Sequence, residues 1–197
     1  EGFEFIDFIT PGLIMMSVIS NSYINVCSSF FIAKFQRSIE EIFVSSTKAR
    51  TIIIGYISGG IIRALIVSLL LLIIAFYFTS MTIKYPFMFI GIIFLTAVLF
   101  SLAGLTNAIC ANKFDDINIV PTFILTPLSY LGGIFYSVEQ LSESWKIILK
   151  LNPLFYLING LRYSCLGFAD VNWIYTYIIL FSLITILYLL NNYLLKH

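Results

Sequence analysis

Five stretches of this chain, 13–33, 52–78, 86–111, 119–138 and 171–195, are almost continuously apolar. Each is long enough to cross a bilayer as a helix, which takes about 20 residues. That pattern leaves few folds open. No water reaches the hydrocarbon core, so every backbone N–H and C=O there must be paired within a helix or around a closed barrel. Barrel strands alternate polar and apolar residues over about ten positions, and these runs do not. The chain therefore reads as an all-α integral membrane protein with five transmembrane helices, and a composition 60% hydrophobic and only 11% charged agrees.

The few charges set an orientation. Lys34, Arg37, Lys48 and Arg50 all follow the first apolar run, and basic loops stay in the cytoplasm. Placing that loop inside brings Lys113 and Lys196 to the same side and leaves Lys84, Lys146, Lys150 and Arg162 spread over the outside, with an external N-terminus. Arg63 lies well within the second run, where a charge is costly. Either the crossing begins near Gly59 and Arg63 snorkels to the cytoplasmic interface, or Arg63 faces a cavity. In the first run Ser22, Asn25 and Ser29 stand at i, i+3 and i+7, giving one polar face that bonds neighbouring helices or lines a pathway. Gly55 with Gly59, Ala97 with Ser101 and Gly104 with Ala108 have the small-xxx-small spacing that lets helices approach closely, and packing within the chain is the expected use.

The basic loop has its own pattern. Phe35, Ile39, Ile42 and Phe43 fall on one helical face, and Gln36, Arg37, Glu40 and Glu41 fall largely on the other. An amphipathic helix is predicted over 34–46, suited to a groove on a partner protein or to the lipid headgroups. Farther along, Pro121 and Pro127 each remove a backbone donor from the fourth run. It ends at Gly132-Gly133, so one uniform helix is not expected. The segment 137–167 mixes apolar residues with scattered charges, too apolar for a free loop. Tyr136, Trp145, Tyr156, Tyr163 and Trp173 suit an interfacial aromatic belt.

Several chemistries find no residues here. The only histidine is His197, and Cys27, Cys110 and Cys165 are too dispersed for a metal or redox motif. No Walker A loop, HExxH or nucleophile elbow occurs, so no catalytic residue, metal or cofactor is expected. A net charge of +1 without a basic stripe gives no sign of a nucleic-acid partner.

One ordered set is more specific. Leu125, Leu128 and Leu131 lead into Gly132-Gly133-Ile134-Phe135-Tyr136; Leu141-Ser142, Pro153-Leu154-Phe155-Tyr156 and Gly160-Leu161-Arg162 follow. It resembles the C-terminal signature of the ABC-2 family of ABC-transporter permeases, carried here by Gly132, Gly133, Pro153, Leu154, Tyr156 and Arg162. Phe8 to Leu13 and Gly55 to Arg63 resemble the starts of that family's second and third spans. The resemblance implies six spans and a cytoplasmic N-terminus, so one earlier helix is expected ahead of this chain. It also implies external re-entrant helices over 137–167, and a coupling role for the 34–46 helix through Phe35, Arg37, Ile39, Glu40, Glu41, Ile42 and Phe43. The implied assembly is a homodimer in the bacterial cytoplasmic (inner) membrane. A separate cytoplasmic ATPase subunit would hold ATP and Mg, and an amphipathic, drug-like, lipid- or glycan-type cargo would be exported. Ser22, Asn25, Ser29 and Arg63 are the candidate pathway residues. The alternatives are a transporter driven by an ion gradient, which the lack of Asp or Glu in any predicted span disfavours, and a membrane-embedded lipid-modifying enzyme, for which only Asp115-Asp116 offers clustered carboxylates.

Overall fold

Leu, Ile, Val and Phe dominate the long runs, and in hydrocarbon their backbone can pair only within its own helix. The computed structural model describes residues 5–45, 47–79, 81–136 and 142–196. Ser46, residues 137–141 with the signature residue Leu141, His197 and the Phe43 side chain lie outside the described residues. The elements are α1 (Phe5–Phe35), α2 (Ser38–Val44), α3 (Ala49–Phe78), α4 (Pro86–Cys110), α5 (Phe114–Val120), a π segment (Pro121–Leu125), α6 (Thr126–Leu131), α7 (Glu143–Leu151), α8 (Pro153–Leu166) and α9 (Ile174–Leu194). Among the described residues, α1, α3, α4 and α9 are the helices long and apolar enough to cross a membrane unaided.

The fourth predicted span is a composite. Val120, Pro121, Leu125 and Thr126 all keep right-handed helical dihedrals, so α5, the π segment and α6 follow one another as a rod of 18 residues, about 27 Å long. The prolines do not break it. The Thr126 N–H and its hydroxyl both reach back to the Pro121 carbonyl, the hydroxyl at 2.8 Å, and this five-residue reach is a π turn. The rod ends at Leu131 instead of 138. A second departure is at the start, where α1 begins at Phe5 and runs through Pro11; a proline there removes one i to i−4 bond and leaves the helix intact.

α1 and α4 form the centre of the bundle, with α3 against both and α9 against α4. Close approach depends on glycines, though not all the expected ones. A Cβ at Gly104 would lie 2.5 Å from the Tyr23 carbonyl oxygen, and one at Gly60 would meet Ser101, Val26 and Ser22. Ala97, Ser101 and Ala108 are buried in the same region. Gly55 has open space where a Cβ would be, and Gly59 only approaches Asn25. The intrachain seam on α3 therefore runs through Gly60, and the Gly55–Gly59 pair faces outward.

Two sets of bonds mark the ends of the bundle. Lys34 Nζ donates to the carbonyls of Ile109 and Ala111 at 2.7 and 2.8 Å, tying the last turns of α1 and α4 together. At the other end, Tyr85 N donates to the Ser164 carbonyl at 2.9 Å, joining the α3–α4 connection to α8. The basic-loop rule predicts that the Lys34 end faces the cytoplasm and that α7–α8 face outside. A cysteine at Ser142, exposed at the start of α7, is expected to react with a membrane-impermeant thiol reagent on right-side-out cells in a background lacking Cys27, Cys110 and Cys165. Labelling only in inverted vesicles would reverse the topology.

Candidate functional site

The outer end of the bundle is organised around one side chain. α8 starts at Pro153, whose absent N–H is no loss at the first helical position. Asn152 caps it, accepting from Leu154 N at 3.0 Å while its own amide donates to the Leu128 carbonyl at 2.7 Å. Leu154, Phe155, Leu157, Ile158 and Leu161 bury α8 in the bundle. That burial carries Arg162 to 1% exposure.

A guanidinium so placed needs partners. Arg162 Nη2 donates to the Gly133 carbonyl at 2.7 Å, and Nη1 lies 3.6 Å from Asp170 Oδ2. The Phe8 ring of α1 lies 3.8 Å from Cζ, within cation–π range. Gly133 can offer its carbonyl because it adopts φ +81°, which glycine reaches without Cβ strain. Asp170 is held in turn by Asn159, which accepts from Asp170 N and donates to the Val171 carbonyl, both at 2.8 Å. One cation thus joins α1, the turn after α6, α8 and the α8–α9 connection.

Other signature residues pack α6, α7 and α8 together nearby. Gly132 packs on Ile158, and the Tyr156 hydroxyl donates to the Lys150 carbonyl at 2.9 Å. The predicted belt residues Tyr163 and Trp173 stack with Tyr85 into a ladder of rings, with centroids 5.4 and 6.2 Å apart. Asp170 and Asn159 are the members that sequence reasoning missed. The available signal was Asp170 itself, a lone acid eight residues after an arginine headed for burial.

The cytoplasmic end differs from its prediction. Lys34 and Phe35 belong to α1, and Arg37 breaks the chain with φ 60° before α2 begins at Ser38. Ile39 is 4% exposed and Ile42 half-buried, both packed toward the bundle. Of the apolar ridge expected to meet a partner, Ile39 and Ile42 are therefore turned inward, whereas Phe35 stays exposed. Arg37, Glu40, Glu41 and Val44 face out, bordering a shallow depression with Gln36 and Ser38. Beside it, Phe31, Phe35 and Phe114 form an edge-to-face cluster with Phe35 66% exposed.

The candidate pathway residues do not stay together. Ser22 is fully buried, its hydroxyl bonded to the Val18 carbonyl at 2.7 Å, so it belongs to the helix seam. Asn25 is half-buried and Ser29 exposed. Ser17, Asn21 and Ser28 are also half-open along α1, with Asn21 and Ser28 bonded back to their own helix. Arg63 is exposed on α3 and, among the described residues, in no ion pair. On α7, the Lys146 ammonium at 2.8 Å holds the Glu143 carboxyl below the usual carboxylate range. Among the described residues no three His, Cys, Asp or Glu side chains are placed to hold a metal.

Residues 2–166 match the family described as ABC-2 type transporter, which takes in the outer assembly to the end of α8. The chain belongs to the ABC-2 type transporter family. It is 50% identical over 191 residues to the inner membrane transport permease YadH of Escherichia coli K12, a match covering 96% of this chain and 74% of the relative. It is 21% identical over 171 residues to nodulation protein J of Rhizobium meliloti, covering 85% of this chain and 64% of that protein. This ABC-2 permease is thus a multi-pass inner membrane protein and the membrane-spanning, non-catalytic subunit of an ABC transporter.

Proposed function

We propose that this permease takes its driving force from a separate cytoplasmic ATPase docked on α2, and that two copies of it form an export pathway for an amphipathic, lipid- or glycan-type cargo. The observation that carries the reading is the build of α2. Ile39 anchors it to the bundle while Arg37, Glu40 and Glu41 are exposed, so force applied to the charged face passes to α1, against which α2 packs. ATP and Mg belong to the ATPase, and this chain contributes none of their ligands.

The second copy is supported by faces without partners. No side chain of α5 or of the π segment is buried, and Gly55 faces open space. Asn25 and Ser29, with Ser17, Asn21 and Ser28, keep α1 polar where it is half-open, which suits a pathway wall. Arg63 fits better as a snorkelling residue, because α3 at 30 residues is about 45 Å long and exceeds the bilayer core of about 30 Å.

The test is affinity purification of the tagged protein from its own host in mild detergent, with identification of what copurifies. An ABC-type ATPase in near-equal amount is the expected result; its reproducible absence with folded protein would overturn the reading. Glu40→Lys with Glu41→Lys should reduce ATPase recovery about tenfold or more, since each reversed charge at a contact is worth on the order of 1 kcal/mol, without changing membrane insertion. Unchanged recovery would place the docking surface elsewhere.

A further inference from the structure

Serine and asparagine side chains inside a helix either bond back to a carbonyl one turn earlier or point outward. On α1, Asn21, Ser22 and Ser28 bond back. Asn25 and Ser29 do not: among the described residues their side chains make no hydrogen bond, and both reach the surface. They stand along one edge of the seam between α1 and α3, whose register is set by three contacts. The Phe30 and Tyr56 ring centroids are 5.0 Å apart, Asn25 Oδ1 lies 3.5 Å from where a Gly59 Cβ would be, and Ser22 and Val26 lie against Gly60. The helices run antiparallel, so one further turn brings Arg63 opposite Asn21.

Around the α3 axis Arg63 falls between two glycines, about 40° from Gly59 and about 60° from Gly60. Gly60 meets α1 and Gly59 borders it, so Arg63 rises from the same edge. Side chains lean toward the N-terminus of their own helix, which carries the guanidinium over Gly59, across from the Asn25 amide. Little crowds that space: a Cβ at Gly55 would meet nothing within 4 Å, and one at Gly59 only Asn25. Arg63 is exposed and, among the described residues, in no ion pair. Past it the same edge continues as Ile66 and Leu70, both exposed. On the predicted topology the polar part lies toward the cytoplasm and the apolar part toward the middle of the bilayer.

We propose that this edge of the α1–α3 seam takes a lipid-borne phosphate from the cytoplasmic leaflet. Arg63 is its cation, the Asn25 amide its second donor, and the acyl chains lie along Ile66 and Leu70. The planar guanidinium can bond two phosphate oxygens at once, and a soluble anion would gain nothing from the apolar continuation. The inference deepens the transport reading, on which it rests for treating such a lipid as cargo: it gives the amphipathic cargo a phosphate next to its hydrocarbon.

Native mass spectrometry of the full chain in mild detergent, titrated with dioleoyl phosphatidic acid or with dioleoylglycerol, tests the site. One phosphatidic acid per chain is expected at concentrations where dioleoylglycerol, with the same chains and no phosphate, does not bind. Arg63→Gln should weaken that binding about tenfold, the loss of a charge-assisted hydrogen bond. Arg63→Lys should weaken it less, and Gly59→Leu, which fills the open space beside Asn25, should also weaken it. Lys150→Gln, at an exposed cation on α7, should leave it unchanged. Equal binding of the two lipids, or equal affinity in Arg63→Gln and the parent, would overturn the site. Displacement by inorganic phosphate at a matching concentration would make it a soluble-anion site and overturn the lipid assignment. If Arg63→Gln dissociates a dimer while lipid binding is unchanged, the edge is a subunit interface and the proposal fails. Arg63 holds no partner within the described chain, so its variants should fold, which size-exclusion chromatography checks. The titration contains no ATPase, so failure of the site leaves docking on α2 standing, and failure to recover an ATPase leaves the lipid result standing.

Discussion

Arg162→Met is expected to destabilise the folded protein by about 3–5 kcal/mol, the cost of removing one partner from a buried ion pair. The residue left behind explains the size: Asp170 is as buried as Arg162, with 2% side-chain exposure, and would face a low-dielectric site without its cation. The Gly133 carbonyl would lose its donor and Phe8 its cation, so α1, the turn after α6 and the α8–α9 connection would lose their common tie. Arg162→Lys should rescue little, because an ammonium cannot reach Gly133 and Asp170 together as the planar fork does. Thermal unfolding in detergent, followed by size-exclusion chromatography, reads the loss. The decisive variant is Arg162→Met with Asp170→Leu, in which neither charge remains; it should recover much of the single variant's loss. If Arg162→Met is as stable as the parent, the latch has no energetic importance.

The second large effect separates two glycines that look alike in the sequence. Gly104→Ala should cost about 1–3 kcal/mol, as overpacking in a filled core does, and Gly104→Leu should prevent accumulation of folded protein. The atoms a Cβ would meet at Gly104 are Tyr23 O, C and Cα, at 2.5, 3.2 and 3.3 Å. They are backbone, so no rotamer change relieves the clash and α1 must move away from α4. Gly55→Ala, on a helix of the same kind and with nothing within 4 Å, should be neutral or stabilising by up to about 1 kcal/mol through helix propensity. Melting temperatures of the two alanine variants test the contrast directly. Equal effects would mean that the α1–α4 contact is looser than these distances, or that Gly55 lies in an interface with another helix.

Much of the outer assembly could be read before any fold was known. Gly132, Gly133, Pro153, Leu154, Tyr156 and Arg162 attract attention by residue type, since a glycine pair, a helix-starting proline and a lone arginine in apolar surroundings each imply a local geometry. What they serve was not readable. Arg162 meets Gly133 across 29 positions, and nothing in the spacing pairs it with Asp170. The amphipathic helix shows the opposite failure. Its periodicity announced an apolar face, but a period cannot say whether that face meets a partner or its own bundle, and burial of Ile39 decides for the bundle.

Helicity and a place in the membrane were legible in the residues alone, because continuous apolar runs leave the backbone no other way to pair its polar groups. The clustering of Lys34, Arg37, Lys48 and Arg50 sets an expected cytoplasmic end by the basic-loop rule, which the Ser142 labelling tests. Which small residues are seams, that Ser22 is packing and Ser29 surface, and that two prolines yield a π turn instead of a break became visible only in the packed bundle. Those outcomes depend on which helix lies beside which, a matter of distances between atoms far apart in the chain, and local residue preference carries no information about them.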